Sequence, residues 1–173
     1  MKSHGLAIVC LMQTLAWGGS AVAGARPCED RGTSVVIDLD RSRLWLCEDG
    51  RVQDRYRVAL GQGGIGKRKR GDKRTPIGTY RLGSGRRSTK YHLFIPVGYP
   101  TASQRSRGFT GSAIGIHGPT RRFRWLGPLG VMVDWTLGCI AVSTDAQIER
   151  ISEWAAHNRV RKVHLISKHG PLD

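Results

Sequence analysis

Acid is scarce in this sequence. Thirteen Asp and Glu stand against 28 Lys and Arg, which gives a formal net charge of +15. Such a charge attracts polyanions. Aromatic residues are also few, at 7%. No nucleic-acid recognition motif accompanies the charge, so nucleic acid is not the expected partner. The arginines are scattered, as on a generally basic, solvated surface. No metal-ligand spacing links His92, His117 and Cys139, and neither a metal nor a cofactor is expected. No internal repeat is visible. No apolar run is long enough for a permanent membrane span: the stretch from Leu6 to Ala16 is too short.

That stretch carries the marks of a secretory signal. Lys2 and His4 precede it, small residues follow it, and Ala21-Val22-Ala23 forms an Ala-x-Ala cleavage site. Cleavage after Ala25 and an uncleaved anchor are the competing readings. The expected division is a signal peptide over 1–23, a leader over 24–33 and one domain over 34–168. The expected location is outside the cytoplasm, in the periplasm or cell envelope, with no stable membrane span after cleavage. The polyanions there are the cell wall, lipid headgroups and lipopolysaccharide.

Cysteine is sparse as well, with four in the chain. Loss of the signal removes Cys10 and leaves Cys28, Cys47 and Cys139. An odd number of thiols in an oxidising compartment requires one to stay free or to pair between molecules. Cys28 with Cys47 would tie the leader to a strand end and leave Cys139 free. The alternatives are that both stay reduced, or that one of them pairs with Cys139.

Glycine, by contrast, is abundant, with 23 residues, and Pro, Ser and Thr punctuate the chain. That pattern fits a β-rich fold with many turns. Strands are expected at Ser34 to Asp40, Arg43 to Cys47, Val52 to Leu60, Thr79 to Leu82, Tyr91 to Val97, Ser112 to Ile116 and Val160 to Ile166. A helix is expected after Thr144. Thr144 and Gln147 have capping-box spacing, and Ile148, Ile151 and Trp154 or Ala155 fall on one face. Gly61-Gln62-Gly63-Gly64-Ile65-Gly66 satisfies Gly-x-Gly-x-x-Gly. Dinucleotide binding requires a helix directly afterwards, and Thr75-Pro76 forbids an uninterrupted one. Lys67 to Arg74 reads as a solvated loop. His92, on an apolar alternating stretch, reads as structural.

The chemistry concentrates in Asp134-Trp135-Thr136-Leu137-Gly138-Cys139-Ile140-Ala141-Val142-Ser143, which follows an isolated Ile116-His117-Gly118. A Gly before a Cys allows a sharp turn and leaves room for an incoming carbonyl. A His folded beside the Cys accepts its proton and stabilises the thiolate as an ion pair. A buried structural thiol is the ordinary alternative. Arg121 to Pro128, with Trp125, reads as a basic aromatic loop over the site, either contacting glycan or stem peptide or simply capping it.

These residues resemble the signature of the L,D-transpeptidase (YkuD) family, cysteine enzymes that remodel bacterial peptidoglycan. The resemblance runs from about Ser34 to Ile166. Two positions depart from the usual box: Leu137 stands where His is common, and Ala141 where Arg or Asn is common. The form Asp-Trp-Thr-x-Gly-Cys-Ile-Ala-Val resembles a distinct murein L,D-transpeptidase-like subgroup, some members of which hydrolyse links to peptidoglycan. The resemblance implies a mainly β fold, a small β-sandwich with one flanking helix. It implies Cys139 as nucleophile, His117 as general base and the backbone N–H groups near Gly138 and Cys139 as oxyanion donors. Gly118, Thr136, Asp134, Trp135 and Tyr99 would bind substrate, and Thr136 would orient His117 or a substrate carbonyl. The implied partners are peptidoglycan stem peptides, or protein linked to the wall. Non-catalytic wall binding and nucleic-acid binding are the other classes to test.

Overall fold

A computed structural model describes residues 27–170. The signal-peptide reading of 1–23 lies outside these residues. Among the described residues, nine strands and two α-helices follow one another: β1 (Ser34–Asp38), β2 (Arg43–Glu48), β3 (Arg51–Arg57), β4 (Gly78–Arg81), β5 (Arg86–Ser88), β6 (His92–Pro96), α1 (Ala102–Ser106), β7 (Gly115–His117), β8 (Ile140–Ala141), α2 (Asp145–His157) and β9 (Lys162–Ile166). A 3-10 segment, Arg121–Val131, lies between β7 and β8.

The strands form two sheets, ordered β3-β2-β1-β9-β4 and β5-β6-β7-β8. Neighbours are antiparallel except β1 with β9 and β7 with β8. β1 is buried at every position because its alternating side chains enter different apolar clusters. Val35 and Ile37 enter the main core, while Val36 joins Cys28 and Cys47. Those two cysteines are disulfide-bonded, with Cα atoms 5.3 Å apart. The link fastens the segment before β1 to the end of β2. At the opposite edge, β3 is mostly exposed and carries Arg51, Asp54, Arg55 and Arg57. Charges on an edge strand discourage further strand pairing.

The main core draws on both sheets, with Leu44, Leu46, Val163 and Leu165 from one and Ile95, Ile116 and Ile140 from the other. α2 adds Ile148, Ile151, Trp154 and Ala155, the stripe expected from its spacing. Thr144 caps α2 by accepting from the Gln147 N–H at 3.2 Å. The expected capping box is not closed. The Gln147 side chain instead accepts from the Ser143 amide and hydroxyl, at 3.0 and 2.8 Å. His92 bonds Glu149 of α2 at 2.6 Å, a structural role.

Several expected boundaries shift. The third strand stops at Arg57, and Ala59 instead makes an isolated bridge to Ala141. His117 lies on β7 rather than after it. β5, β8 and α1 were not expected, so α2 is joined by a second, very short helix. α1 carries a complete capping box from Thr101 and Gln104.

Candidate active site

The candidate site is built where β7 and β8 run side by side. Ile116 pairs with Ile140 and His117 with Ala141. Cys139 immediately precedes β8, two residues before Ala141. Side chains alternate with period two, so Cys139, Ala141 and His117 share one face of this ribbon. The strand pairing therefore places the expected nucleophile and base on one face of neighbouring chain segments. Gly115 lies level with Cys139 and offers no side chain. A Cβ there would meet the Phe94 ring at a carbon–carbon separation no packed core tolerates.

The cysteine turn is held from inside. Thr136 donates its hydroxyl to the Cys139 carbonyl at 2.7 Å and accepts from the Gly138 N–H at 3.1 Å. This hydroxyl is committed to the turn, so the structure does not place it as an orienter of His117. The Gly138 N–H is likewise turned toward Thr136. Gly138 has φ of 121°, and a Cβ on it would stand 2.5 Å from the Arg74 carbonyl oxygen. Both features demand glycine. Asp134 accepts from the Leu60 N–H at 2.7 Å, and Thr136 pairs its backbone with Leu60 and Gln62.

The Gly-rich loop thus backs the cysteine turn rather than cradling a phosphate. Gly61 and Gly63 pass against the carbonyls of Lys73 and Asp72 so closely that no side chain would fit. Thr75 accepts from the Gly61 N–H at 2.8 Å. The expectation of a wholly solvated Lys67 to Arg74 loop is corrected at two positions. Lys67 is buried and donates to Asp72 at 2.6 Å and to the Lys69 carbonyl at 3.1 Å. Burial acts to raise the Asp72 pKa. The bonds from Lys67, Lys69, Arg68 and Arg74 outweigh it and bring the pKa down to about 2.

His117 is wholly buried. Its Nδ1 lies 2.7 Å from the Gly118 carbonyl oxygen. A carbonyl can only accept, so Nδ1 carries the proton and Nε2 presents a lone pair. That Nε2 is buried and has no hydrogen-bond partner. Tyr91 stacks on the imidazole with ring centroids 3.8 Å apart. Phe94 and Trp135 lie at 6.4 and 5.8 Å. Desolvation lowers the His117 pKa to about 4, against a smaller upward pull from its Gly118 bond, and the positive Lys90 lowers it further.

Cys139 is free and partly buried. Its Sγ donates to the Ala113 carbonyl at 3.4 Å, on a residue held at φ of 58°. Desolvation raises the thiol pKa, opposed by a backbone bond from Gly115 and by the charges of Lys90 and Lys67. The two shifts together favour a neutral thiol beside a neutral imidazole. Both directions oppose the ion pair expected from sequence.

The remaining expected residues are placed less directly. Trp135 packs against Ala59, Val131 and Ala141 and donates its indole N–H to Gly130 at 2.8 Å. Gly118 follows β7 with no room for a side chain, since the Tyr91 carbonyl oxygen would be 2.9 Å from a Cβ. Tyr99 is buried in the core. Its hydroxyl donates to the Lys67 carbonyl at 3.2 Å, so it supports the Lys67 loop. Ala141 is also fully buried, bonded both ways through its backbone to Ala59 at 2.9 Å. Sequence reasoning missed Tyr91 and Phe94 as neighbours of His117. Their only signal was membership of an expected strand.

Comparison with known proteins gives a consistent result. Residues 32–164 match the family described as the L,D-transpeptidase catalytic domain, YkuD. The chain is 31% identical over 74 residues to the Escherichia coli K12 protein named L,D-transpeptidase YafK, a match covering 41% of this chain and 30% of that protein. Among solved structures, the helical cell shape determining protein Pgp2 from Campylobacter jejuni superposes with a TM-score of 0.61 at 23% identity. That match covers 87% of this chain and 53% of Pgp2. Bd1075 from Bdellovibrio bacteriovorus follows at 0.52 and 18% identity, covering 77% of this chain and 47% of its own. At these identities the two structures speak to the fold. The chain spans about half the length of these structural relatives and less of YafK.

Proposed function

The chain belongs to the L,D-transpeptidase catalytic-domain family, and on that premise we propose that it is an exported cysteine L,D-transpeptidase acting on peptidoglycan stem peptides. The observation that carries this reading is the unpartnered Nε2 of His117, on the same ribbon face as the free thiol of Cys139. A buried, neutral imidazole with its Nδ1 proton fixed by Gly118 is arranged to receive a proton at Nε2.

In the proposed reaction the Cys139 sulfur attacks the carbonyl carbon between the third stem residue and D-Ala. Its proton passes to His117 Nε2 as the carbon–sulfur bond forms. The oxyanion is assigned to the Cys139 N–H, because that of Gly138 is engaged by Thr136. One such donor is typically worth about 3–4 kcal/mol in the transition state. Collapse breaks the carbon–nitrogen bond, and His117 returns the proton to the leaving D-Ala amine. An acceptor amine then resolves the thioester into a cross-link. The first residues and the disulfide of Cys28 with Cys47 support export, since disulfides persist in oxidising compartments. Among the described residues, no helix is long and apolar enough to cross a membrane.

A second reading follows from Ala141. A neutral, buried residue replaces the Arg or Asn common at this position, which favours altered substrate choice. Water would then resolve the thioester, releasing peptide or protein attached to peptidoglycan. A test incubates the protein and its Cys139→Ala variant with muropeptides and with protein-linked peptidoglycan, followed by mass spectrometry. Loss of D-Ala with a new cross-link, dependent on Cys139, is the expected result. Cys139-dependent release without cross-linking would establish the hydrolase. No Cys139-dependent product from folded protein would overturn both in favour of a non-catalytic wall-binding domain.

A further inference from the structure

The apolar surface of the molecule is unevenly distributed. Among the described residues seven large hydrophobic side chains are exposed, and all but Val52 lie in one stretch: Phe123, Trp125, Leu129, Met132, Val133 and Leu137. Trp125 is 77% exposed and Val133 69%. Scattered exposed hydrophobics need no explanation, but their concentration in one segment does.

The run is held outward by a fixed backbone. Arg121 donates its N–H to the Lys90 carbonyl at 3.2 Å, Arg57 reaches the Val131 carbonyl at 3.2 Å, and the Trp135 indole bonds Gly130. Arg124 pairs with Asp145 at 2.9 Å. Only Val131 of the 3-10 segment is buried, against Ala59 and Ala141.

The charge on this stretch identifies an occupant. From Arg121 to Val133 the sequence reads Arg-Arg-Phe-Arg-Trp-Leu-Gly-Pro-Leu-Gly-Val-Met-Val, with no acid, amide or hydroxyl. A protein-binding face surrounds its apolar centre with a hydrogen-bonding polar rim. Here the only polar side chains are arginines, all three exposed, with Arg124 paired to Asp145. Trp and Phe beside Arg, without acids, is the composition that settles at a bilayer surface. The rings lie at headgroup depth, and the cations meet anionic phosphate. The chain's +15 charge acts in the same direction at longer range.

We propose that the 121–133 segment docks the protein onto the surface of a membrane rich in anionic phospholipid. Trp125, Leu129, Met132 and Val133 enter the interface, and Arg121 and Arg122 meet the headgroup phosphates. The segment leads within a few residues to Cys139, so docking holds the cysteine turn close to the membrane surface. This inference stands apart from the acyl-transfer chemistry.

The test measures co-sedimentation of the full chain with vesicles of phosphatidylcholine alone and of phosphatidylcholine with phosphatidylglycerol. It is compared with Leu129→Ser/Met132→Ser/Val133→Ser and with Arg121→Gln/Arg122→Gln in the same chain. Any contribution of the leading apolar stretch is then common to all samples. Partitioning to the anionic vesicles is expected to fall about tenfold in each variant at unchanged melting temperature. Brominated lipid is expected to quench the wild type more than its Trp125→Phe variant. Equal partitioning of wild type and variants, or none by the wild type, would overturn the proposal. So would variants that keep vesicle binding but lose turnover of soluble muropeptides, which would make the segment a substrate-covering element. Patch-dependent vesicle binding by a chain with no turnover would uphold the docking surface and refute the proposed enzyme.

Discussion

The ring of Tyr91 lies on the imidazole of His117, with centroids 3.8 Å apart and planes 21° from parallel. A base packed in this way is shielded from water, and a charge on it is disfavoured. The consequence for pH is direct. Folded, His117 takes up a second proton only below about pH 4, against 6.5 for an ordinary histidine. Turnover is therefore expected to persist through pH 5, where an unperturbed histidine base would be largely protonated. Stability follows the same displacement. Between those two values the unfolded chain binds the extra proton, so acidification through this window destabilises the fold, by about 3 kcal/mol in full. His117→Asn is expected to lower turnover by about 10²–10⁴-fold and to flatten the stability loss. A pH–rate profile and melting curves from pH 4 to about 7 check both.

Thr136→Val keeps the shape of the side chain and removes its hydroxyl. Both the Cys139 carbonyl and the Gly138 N–H then lose a partner inside the turn. The expected cost is about 1–3 kcal/mol of stability. Turnover should fall while substrate affinity changes less, because the hydroxyl shapes the nucleophile's turn. Chemical denaturation and a kcat-against-KM comparison distinguish this from direct substrate contact.

Gly138→Ala places a methyl group against the Arg74 carbonyl in a conformation that alanine rarely adopts. The turn must move away from the Gly-rich loop. Loss of Cys139-dependent turnover is expected, together with a melting temperature several degrees lower for about 1–2 kcal/mol of destabilisation. An unchanged melting temperature would show that the loop gives way at no cost.

The Cys28–Cys47 link closes a short loop, with a sequence separation of 19 residues. Replacing both by Ala is expected to cost about 3 kcal/mol by chain entropy. The Cys139 thiol should remain the sole alkylation site in the unreduced protein among these three cysteines. Denaturation curves and mass-mapped alkylation test the two statements.

What could be read from sequence divides along a physical line. β1, β2 and α2 carry their own signals: β-branched runs for the strands, and Thr144 with the Ile148, Ile151 and Trp154 stripe for the helix. β5 and β8 span three and two residues, and exist only because Leu93, His92, Ile116 and His117 are there to pair with them. No local pattern announces such strands. α1 buries nothing, so no apolar stripe marked it, although Thr101 and Gln104 spelled out its capping box. Cys139 and His117 were legible from their neighbours in the chain. The environment that sets their charge was not, because Tyr91, Phe94 and Ala113 reach them across the second sheet. The commitments of Thr136 and the Gly138 amide to each other were equally invisible, since the same residues would serve either an oxyanion or the turn.

The pairing of β1 with β9 sets a condition on how the molecule comes into being. Val35 lies beside Val163 and Ile37 beside Leu165. β9 also carries β4 on its other edge. Until the last strand arrives, the strand at the heart of the larger sheet has an open side, and β4 has no sheet to join. The larger sheet therefore closes only when residues 162–166 reach residues 34–38, and contacts so distant in sequence form slowly.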